Sequence, residues 1–293
     1  MLSLSMVAPV AGAAATTTPT TATSPTDVTE TAVASDAVEP TGKIHSSLQR
    51  AEGTEQVVLR LEEADLDRAM SQAETVSTLQ RQADRTQERV VQFAAARYGV
   101  TVQNRFWITN AVLLEIDTDR VELTELAAQP GVEQVHANFD VQAPEPRESS
   151  VDPDYHDSTY GIDQVNATDV WSEYNTRGEG AKVAVLDTGV DASHPDIDLH
   201  TENASDPTSP GGWAEFNGSG AIIPGSEPYD ENGHGTHTSG TVAGGDASGG
   251  PIGVAPEATL IHGGVLTPEG GTFAAVLGGM EWAIQEDADV MNM

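Results

Sequence analysis

Residues 232–240 read Asn-Gly-His-Gly-Thr-His-Thr-Ser-Gly, with His234 and His237 three apart among glycines and hydroxyl residues. On a helix, positions i and i+3 share a face, so the pair has a spacing that metal ligation can use. The local pattern gives zinc little else: there is no His-Glu-x-x-His box, no cysteine and no obvious third ligand nearby. A single histidine acting as general base is the stronger alternative. Imidazole titrates near neutrality, and a carboxylate beside it fixes the tautomer and favours the protonated ring. Asp187 is a carboxylate in a suitable place. It ends the apolar run AKVAVLD (181–187) and opens the glycine-containing stretch DTGVDASHPD. In open α/β sheets, active groups gather outside the carboxyl ends of strands. An acid there also serves as a turn residue or a helix cap. In the Asp187–His234 reading, His234 moves protons and His237 is a packed, hydrogen-bonded core histidine.

The elements that must hold these groups have their own signals. The runs 181–187, 258–266 and 288–293 are almost continuously apolar, as strands covered on both faces are. A helix is expected to start at His234 and run towards Gly244, and another to cover Phe273 to Glu286. Strands alternating with helices imply a doubly wound parallel α/β sheet. The grammar before residue 143 differs. Strand signals at 56–62, at 100–117 with a turn near Ile108–Asn110, and at 132–142 flank a helix over 78–98 and a shorter one over 118–129, capped at Thr118 or Asp119. The order β-α-β-β-α-β predicts a small α+β, ferredoxin-like domain over 55–143.

Around these lie segments without periodicity. Residues 1–15 are apolar and end in small residues like a secretory signal, yet no basic leader precedes them. Either the true start lies upstream or this is an apolar tail. Residues 16–54 read as a disordered linker and 144–159 as an exposed processing linker. The 293 residues carry 46 acids against 13 basic residues, a formal charge of −33, and only Lys43 and Lys182 are lysines. This surface repels nucleic acid and anionic membranes, which sets both aside as partners. It suits high salt, where the Debye length falls to about 3 Å at 1 M. With no cysteine, disulfides and thiol chemistry are excluded.

The boxes DTGVDASHPD, HGTHTSGTVAG, IGVAPEATL, GMEWAI and ADVMNM occur in order with short gaps, and together they resemble the amino-terminal part of a subtilisin-like serine protease. YGIDQVNATDVW (160–171) is similar to the start of such a mature enzyme. In its acidity the chain resembles the halolysins, secreted subtilases of salt-loving archaea. The resemblance implies a secreted, extracellular endopeptidase precursor that hydrolyses peptide bonds in protein or peptide substrates and needs no cofactor for its chemistry. Asp187 is then the orienting acid and His234 the general base. Residues 55–143 become the pro-region, an intramolecular inhibitor and folding helper, and 160–293 the first part of the catalytic domain. Gly270 and Gly271 match a strand on which substrate lies as an added strand. Asp196 and Asp246, with oxygens near Ser248, match a structural calcium site, although Ala247 stands where an asparagine ligand is common. The family's Gly-Thr-Ser-Met-Ala nucleophile box is absent, and Ser193, Ser239 and Ser248 lack its context. The expectation is therefore a truncated chain, inactive alone, with an exposed edge after Met293. The alternative is non-enzymatic: an inhibitor or folding helper of another subtilase, its VQAPEP tail in the partner's cleft.

Overall fold

The computed structural model describes residues 39–143 and 159–293. The signal-like stretch 1–15, most of the 16–54 linker and the processing linker lie outside those residues.

The first unit runs β1 (Thr54–Leu61), α1 (Gln72–Ala96), β2 (Val100–Phe106), β3 (Ala111–Asp117), α2 (Leu123–Ala127) and β4 (Val132–Ala137). Its sheet has the order β2-β3-β1-β4, every neighbouring pair antiparallel. Side chains alternate across a strand, and here both faces are covered. Val57, Leu59 and Leu61 pack with Val90 and Ala94 of α1 and Leu126 of α2, whereas Val58 and Leu113 face the opposite way. Several boundaries differ from the sequence expectation. Helix α1 starts six residues earlier than residue 78 because Ser71 and Glu74 form a reciprocal capping box. Helix α2 starts only after Glu122, which forms the box with Glu125, while Thr118 instead donates its hydroxyl to the carbonyl of Gly53. Residues 40–48, placed in the linker by composition, make two short 3₁₀ turns whose Leu48 enters the core and whose Ile44 bridges Val135. A few apolar side chains in a polar context suffice to anchor them.

The expected strand 132–142 divides. β4 stops at Ala137, and β5 (Asp140–Val141) leaves the sheet to pair with the second unit.

That unit contains α3 (Tyr160–Gln164), α4 (Ala167–Tyr174), β6 (Lys182–Asp187), β7 (Trp213–Glu215), α5 (His234–Ala243), β8 (Thr259–Gly264), β9 (Gly271–Thr272), α6 (Phe273–Gln285) and β10 (Val290–Asn292). Its parallel sheet has the order β10-β6-β8-β7. Ala184, Leu186 and Ile261 pack against α6, and Val185 and Leu260 against the α5 side with Ala243. Successive residues of β6 and β8 thus serve opposite layers, which is why those runs are continuously apolar. The fold is α/β, a parallel sheet wound on both faces, as the sequence leads one to expect. Sequence periodicity missed β7, a three-residue strand, and the two short helices before residue 175.

Helix α6 explains how the two units meet. Its sequence FAAVLGGMEWAI is apolar nearly all round, the pattern of a helix buried on every side. Ala275, Trp282 and Ala283 face β6 and β8, while Ala274 and Leu277 face Val58, Phe106 and Leu113 of the first sheet. Gly220 permits this approach: a Cβ there would stand 2.3 Å from the Ala274 carbonyl oxygen and 2.8 Å from the ring of Phe106. Glu281, on the same helix, accepts the backbone N–H groups of Trp107 and Ile108 at the β2–β3 turn, at 2.5 and 3.0 Å. Burial outweighs those two bonds and pushes its carboxyl up to about 7. An acid raised in the docked state binds a proton more tightly there than when exposed, so docking is favoured at low pH and weakens as pH rises through 7. Amide hydrogen exchange across Trp107–Asn110 should therefore quicken between pH 5 and 8 beyond its intrinsic pH dependence. Glu281→Gln should remove that excess, and an unchanged excess in the variant would contradict the assignment.

Candidate active site

Asp187 is the last residue of β6 and His234 the first of α5, so strand end and helix start converge as expected of an open α/β sheet. The His234 Nδ1 lies 2.8 and 2.9 Å from the two carboxylate oxygens of Asp187. A carboxylate only accepts, so Nδ1 carries the proton and Nε2 keeps its lone pair in the neutral ring. The acid is buried, whereas about a third of the histidine side chain (34%) remains exposed. The shielded group orients, and the open edge of the ring can meet a reactant.

Two glycines make this approach possible. A Cβ on Gly235 would sit 2.1 Å from the carbonyl oxygen of Gly189, and one on Gly189, at φ +134°, would sit 2.0 Å from the carbonyl oxygen of Tyr229. The glycines of DTG and HGTH are thus steric requirements for bringing the two boxes together.

His237 departs from expectation. It is exposed rather than packed, and it makes no side-chain hydrogen bond among the described residues. It lies three positions along α5 from His234, on the solvent side of the helix. No group of three metal-capable side chains exists among the described residues, so the zinc reading finds no third ligand. The packed histidine is His262 on β8. It is fully buried, stacks on Trp213 with ring centroids 5.9 Å apart, and meets the hydroxyl of Ser239 at 2.9 Å through Nδ1. Ser239 thereby joins α5 to the sheet, the structural part expected of it. Asp230 and Thr188 also escaped sequence analysis. Both bond to the backbone around the Asp187–His234 pair. The signal for Asp230 was weak: an acid just before an Asn-Gly turn.

Gly270 and Gly271 lie at the start of β9, whose partner is β5: Asp140 is opposite Thr272 and Val141 opposite Gly271, antiparallel. A Cβ on Gly270 would reach within 2.5 Å of the Val141 carbonyl oxygen. Phe139 stacks on Phe273 at 4.8 Å and anchors the same segment. Beside this pairing lies a cleft of about 410 Å³, lined by Asp140, Gln142, Val265, Glu269 and Gly271 among others. Val265 and Leu266 donate their N–H groups to the Asp187 carbonyl, at 2.9 and 3.2 Å. The cleft is therefore built onto the same strand end as the acid.

The suggested calcium ligands look different. One Asp196 oxygen accepts the Ser248 N–H at 3.2 Å, and the other accepts the Ser248 hydroxyl. That hydroxyl, foremost, holds the Asp196 carboxyl below its usual range even against burial. Donors thus engage both oxygens of Asp196, and no group of three or more acidic, histidine or cysteine side chains that could hold a metal forms among the described residues.

Residues 178–293 match the model of the Subtilase family. Over these residues the chain belongs to the subtilases. Subtilisin E of Bacillus subtilis (strain 168) is 34% identical over 199 residues, which cover 67% of this chain and 44% of that protein. The major intracellular serine protease of the same organism is 37% identical over 142 residues, 48% of this chain and 41% of that protein. The minor extracellular protease Vpr is 30% identical over 255 residues, 81% of this chain and 29% of that protein. The chain spans less than half the length of these relatives. The subtilase match begins before β6 and so takes in both Asp187 and His234, and the family's activity is that of a serine-type peptidase.

Burial depresses the His262 imidazole to about 4, against the attraction of Asp187 and Asp230. The unfolded chain then takes up the proton first as pH falls. Stability should be lost from pH 6.5 downward, levelling off below about 4, by roughly 3 kcal/mol in total. Denaturant melts at stepped pH should show this slope, and His262→Gln should flatten it. An equal slope in the variant would assign the acid lability elsewhere.

Proposed function

We propose that the whole protein is a secreted subtilisin-like serine endopeptidase made as a precursor. Asp187 is its orienting acid and His234 its general base. The observation that carries this is the Asp187–His234 contact, 2.8 Å at the rim of a parallel sheet. In the reaction, the Nε2 of His234 takes the proton of a serine hydroxyl as that oxygen attacks a peptide carbonyl. Asp187 holds the ring that becomes imidazolium, and His234 then returns the proton to the leaving amine. No serine hydroxyl bonds the His234 ring among the described residues, so residues 1–293 alone are expected to be inactive.

Residues 55–143 act as the pro-region. Support comes from β5, which lies on Gly271–Thr272 in the manner of an added strand. Peptide substrate would pair with the same glycine-bearing strand once β5 leaves. Secretion accords with the apolar start of the sequence, and among the described residues no helix is long and apolar enough to cross a membrane. The charge of −33 suits function at high salt.

Labelling of the native protein in 3 M KCl with a fluorophosphonate probe tests the proposal. The label is expected on a serine. Asp187→Asn should slow labelling by about 10⁴-fold and His234→Ala by about 10⁶-fold, the losses known for these roles in subtilisin. Labelling that survives either substitution would overturn the assignment.

The β5–β9 pairing also favours a second reading, in which the first unit inhibits another subtilase. Residues 39–143, titrated against an active subtilisin, should then inhibit at micromolar concentration. Absence of inhibition would dismiss this reading and leave the first intact.

A further inference from the structure

The turn between β7 and α5 contains a half-buried carboxylate with an unusual number of donors. One oxygen of Asp230 accepts the Thr188 hydroxyl at 2.9 Å and the N–H groups of Gly233 and Asn232 at 2.9 and 3.2 Å. The other accepts the Thr236 N–H at 2.8 Å and the Thr236 hydroxyl at 2.7 Å. Five donors converge on one side chain, which touches neither Asp187 nor His234 directly.

The donors fall into two arms. The first is Thr188, whose own N–H goes to the Asp187 Oδ1 at 2.7 Å. The Thr188 hydroxyl, while donating to Asp230, also accepts the N–H of Gly235 at 3.0 Å. The second arm is the backbone on either side of His234: Asn232 and Gly233 before it, Thr236 after it. The Thr236 hydroxyl in turn accepts the Asp191 N–H at 2.9 Å, which draws in the turn after β6. One carboxylate thus holds the neighbours of both members of the pair.

We propose that Asp230 is a positioning residue for the Asp187–His234 pair, fixing the distance and angle between acid and imidazole through Thr188 on one side and Gly233–Thr236 on the other. This rests on the proteolytic reading of that pair. Five donors need an acceptor with two full oxygens, and an asparagine would turn an N–H₂ group towards one set of them. Burial opposes ionisation of Asp230, but the bonds from Thr236, Gly233 and Thr188 outweigh it and keep the carboxyl below its usual range. The charge therefore stays in place as the ring gains and loses its proton. Asp230 reaches no reactant, so its effect passes entirely through geometry and the local field. A plain capping acid at the start of α5 would use the Gly233 and Thr236 bonds alone. The Thr188 arm is what such a cap does not need.

The test is proton NMR of the full chain with ¹⁵N-labelled histidine. A Nδ1 proton held by a buried carboxylate resonates far downfield and exchanges slowly, and its loss in Asp187→Asn assigns it to His234. Asp230→Asn should speed its exchange with water at least tenfold. Thr188→Val removes the hydroxyl that links Asp230 to the residue after Asp187, and with it the acceptor of the Gly235 N–H, while the Asn232, Gly233 and Thr236 bonds to Asp230 stay; it should do the same, and it decides the matter if Asp230→Asn does not fold. A lowered melting temperature with exchange unchanged in both folded variants would make Asp230 a structural cap and overturn the proposal alone. Absence of the resonance in the wild type would remove the Asp187–His234 reading and the proposal with it.

Discussion

The hydrogen bond from the His234 ring to the Asp187 carboxylate joins a strand end to a helix start that are 47 residues apart in the chain. Little freedom remains for it. The backbone of Gly189 must pass beneath Tyr229, and the first turn of α5 must lie against Gly189, each at a distance that excludes any side chain. β6 must also stop at Asp187, where the backbone carbonyl is taken up by Val265 and Leu266. The chemistry available at this site is a product of that crowding. A buried acid is tolerated beside a partly open imidazole because the Thr188 N–H and the ring N–H of His234 both donate to it.

The same economy of space governs the meeting of the two units. Helix α6 serves two sheets at once, with Trp282 and Ala283 in one core and Ala274 and Leu277 in the other. Two adjacent glycines, Gly278 and Gly279, let the Gly220 backbone and Val265 approach the helix within the second unit, and Gly220 in turn leaves room for Phe106 of the first. A polar exception sits in that apolar contact. The Glu281 carboxylate satisfies two N–H groups of the β2–β3 turn that packing would otherwise strand.

Much of this was legible in the sequence, and the reasons are specific. Continuous apolar runs at 181–187 and 258–266 announced strands covered on both faces, and the acid at the end of the first was placed where such sheets put their chemistry. The two-period and 3.6-period patterns before residue 143 matched six elements in order. What escaped was set by tertiary partners. Nothing local marks β5 as a separate strand, since its hydrogen bonds go to a segment 130 positions away in the chain. Nor does a motif tell which of two histidines is buried. His237 shares its box with His234 yet faces solvent, while His262, isolated in an apolar strand, takes the core position because the Ser239 hydroxyl is there to meet it. Asp230 was invisible for a similar reason: the donor that sets it apart from a plain cap, Thr188, lies 42 positions away in the chain.

The pairing of β5 with β9 is small, two residues on each side. As a contact between separate molecules it would be weak and short-lived. Here both strands belong to one chain, and a short covalent tether raises the effective concentration of one beside the other to the millimolar range or above. The position of β5 on β9 thus draws on chain connectivity together with the apolar contact at α6. Severing the connection between the units would leave every interaction in place and still make their association depend on concentration.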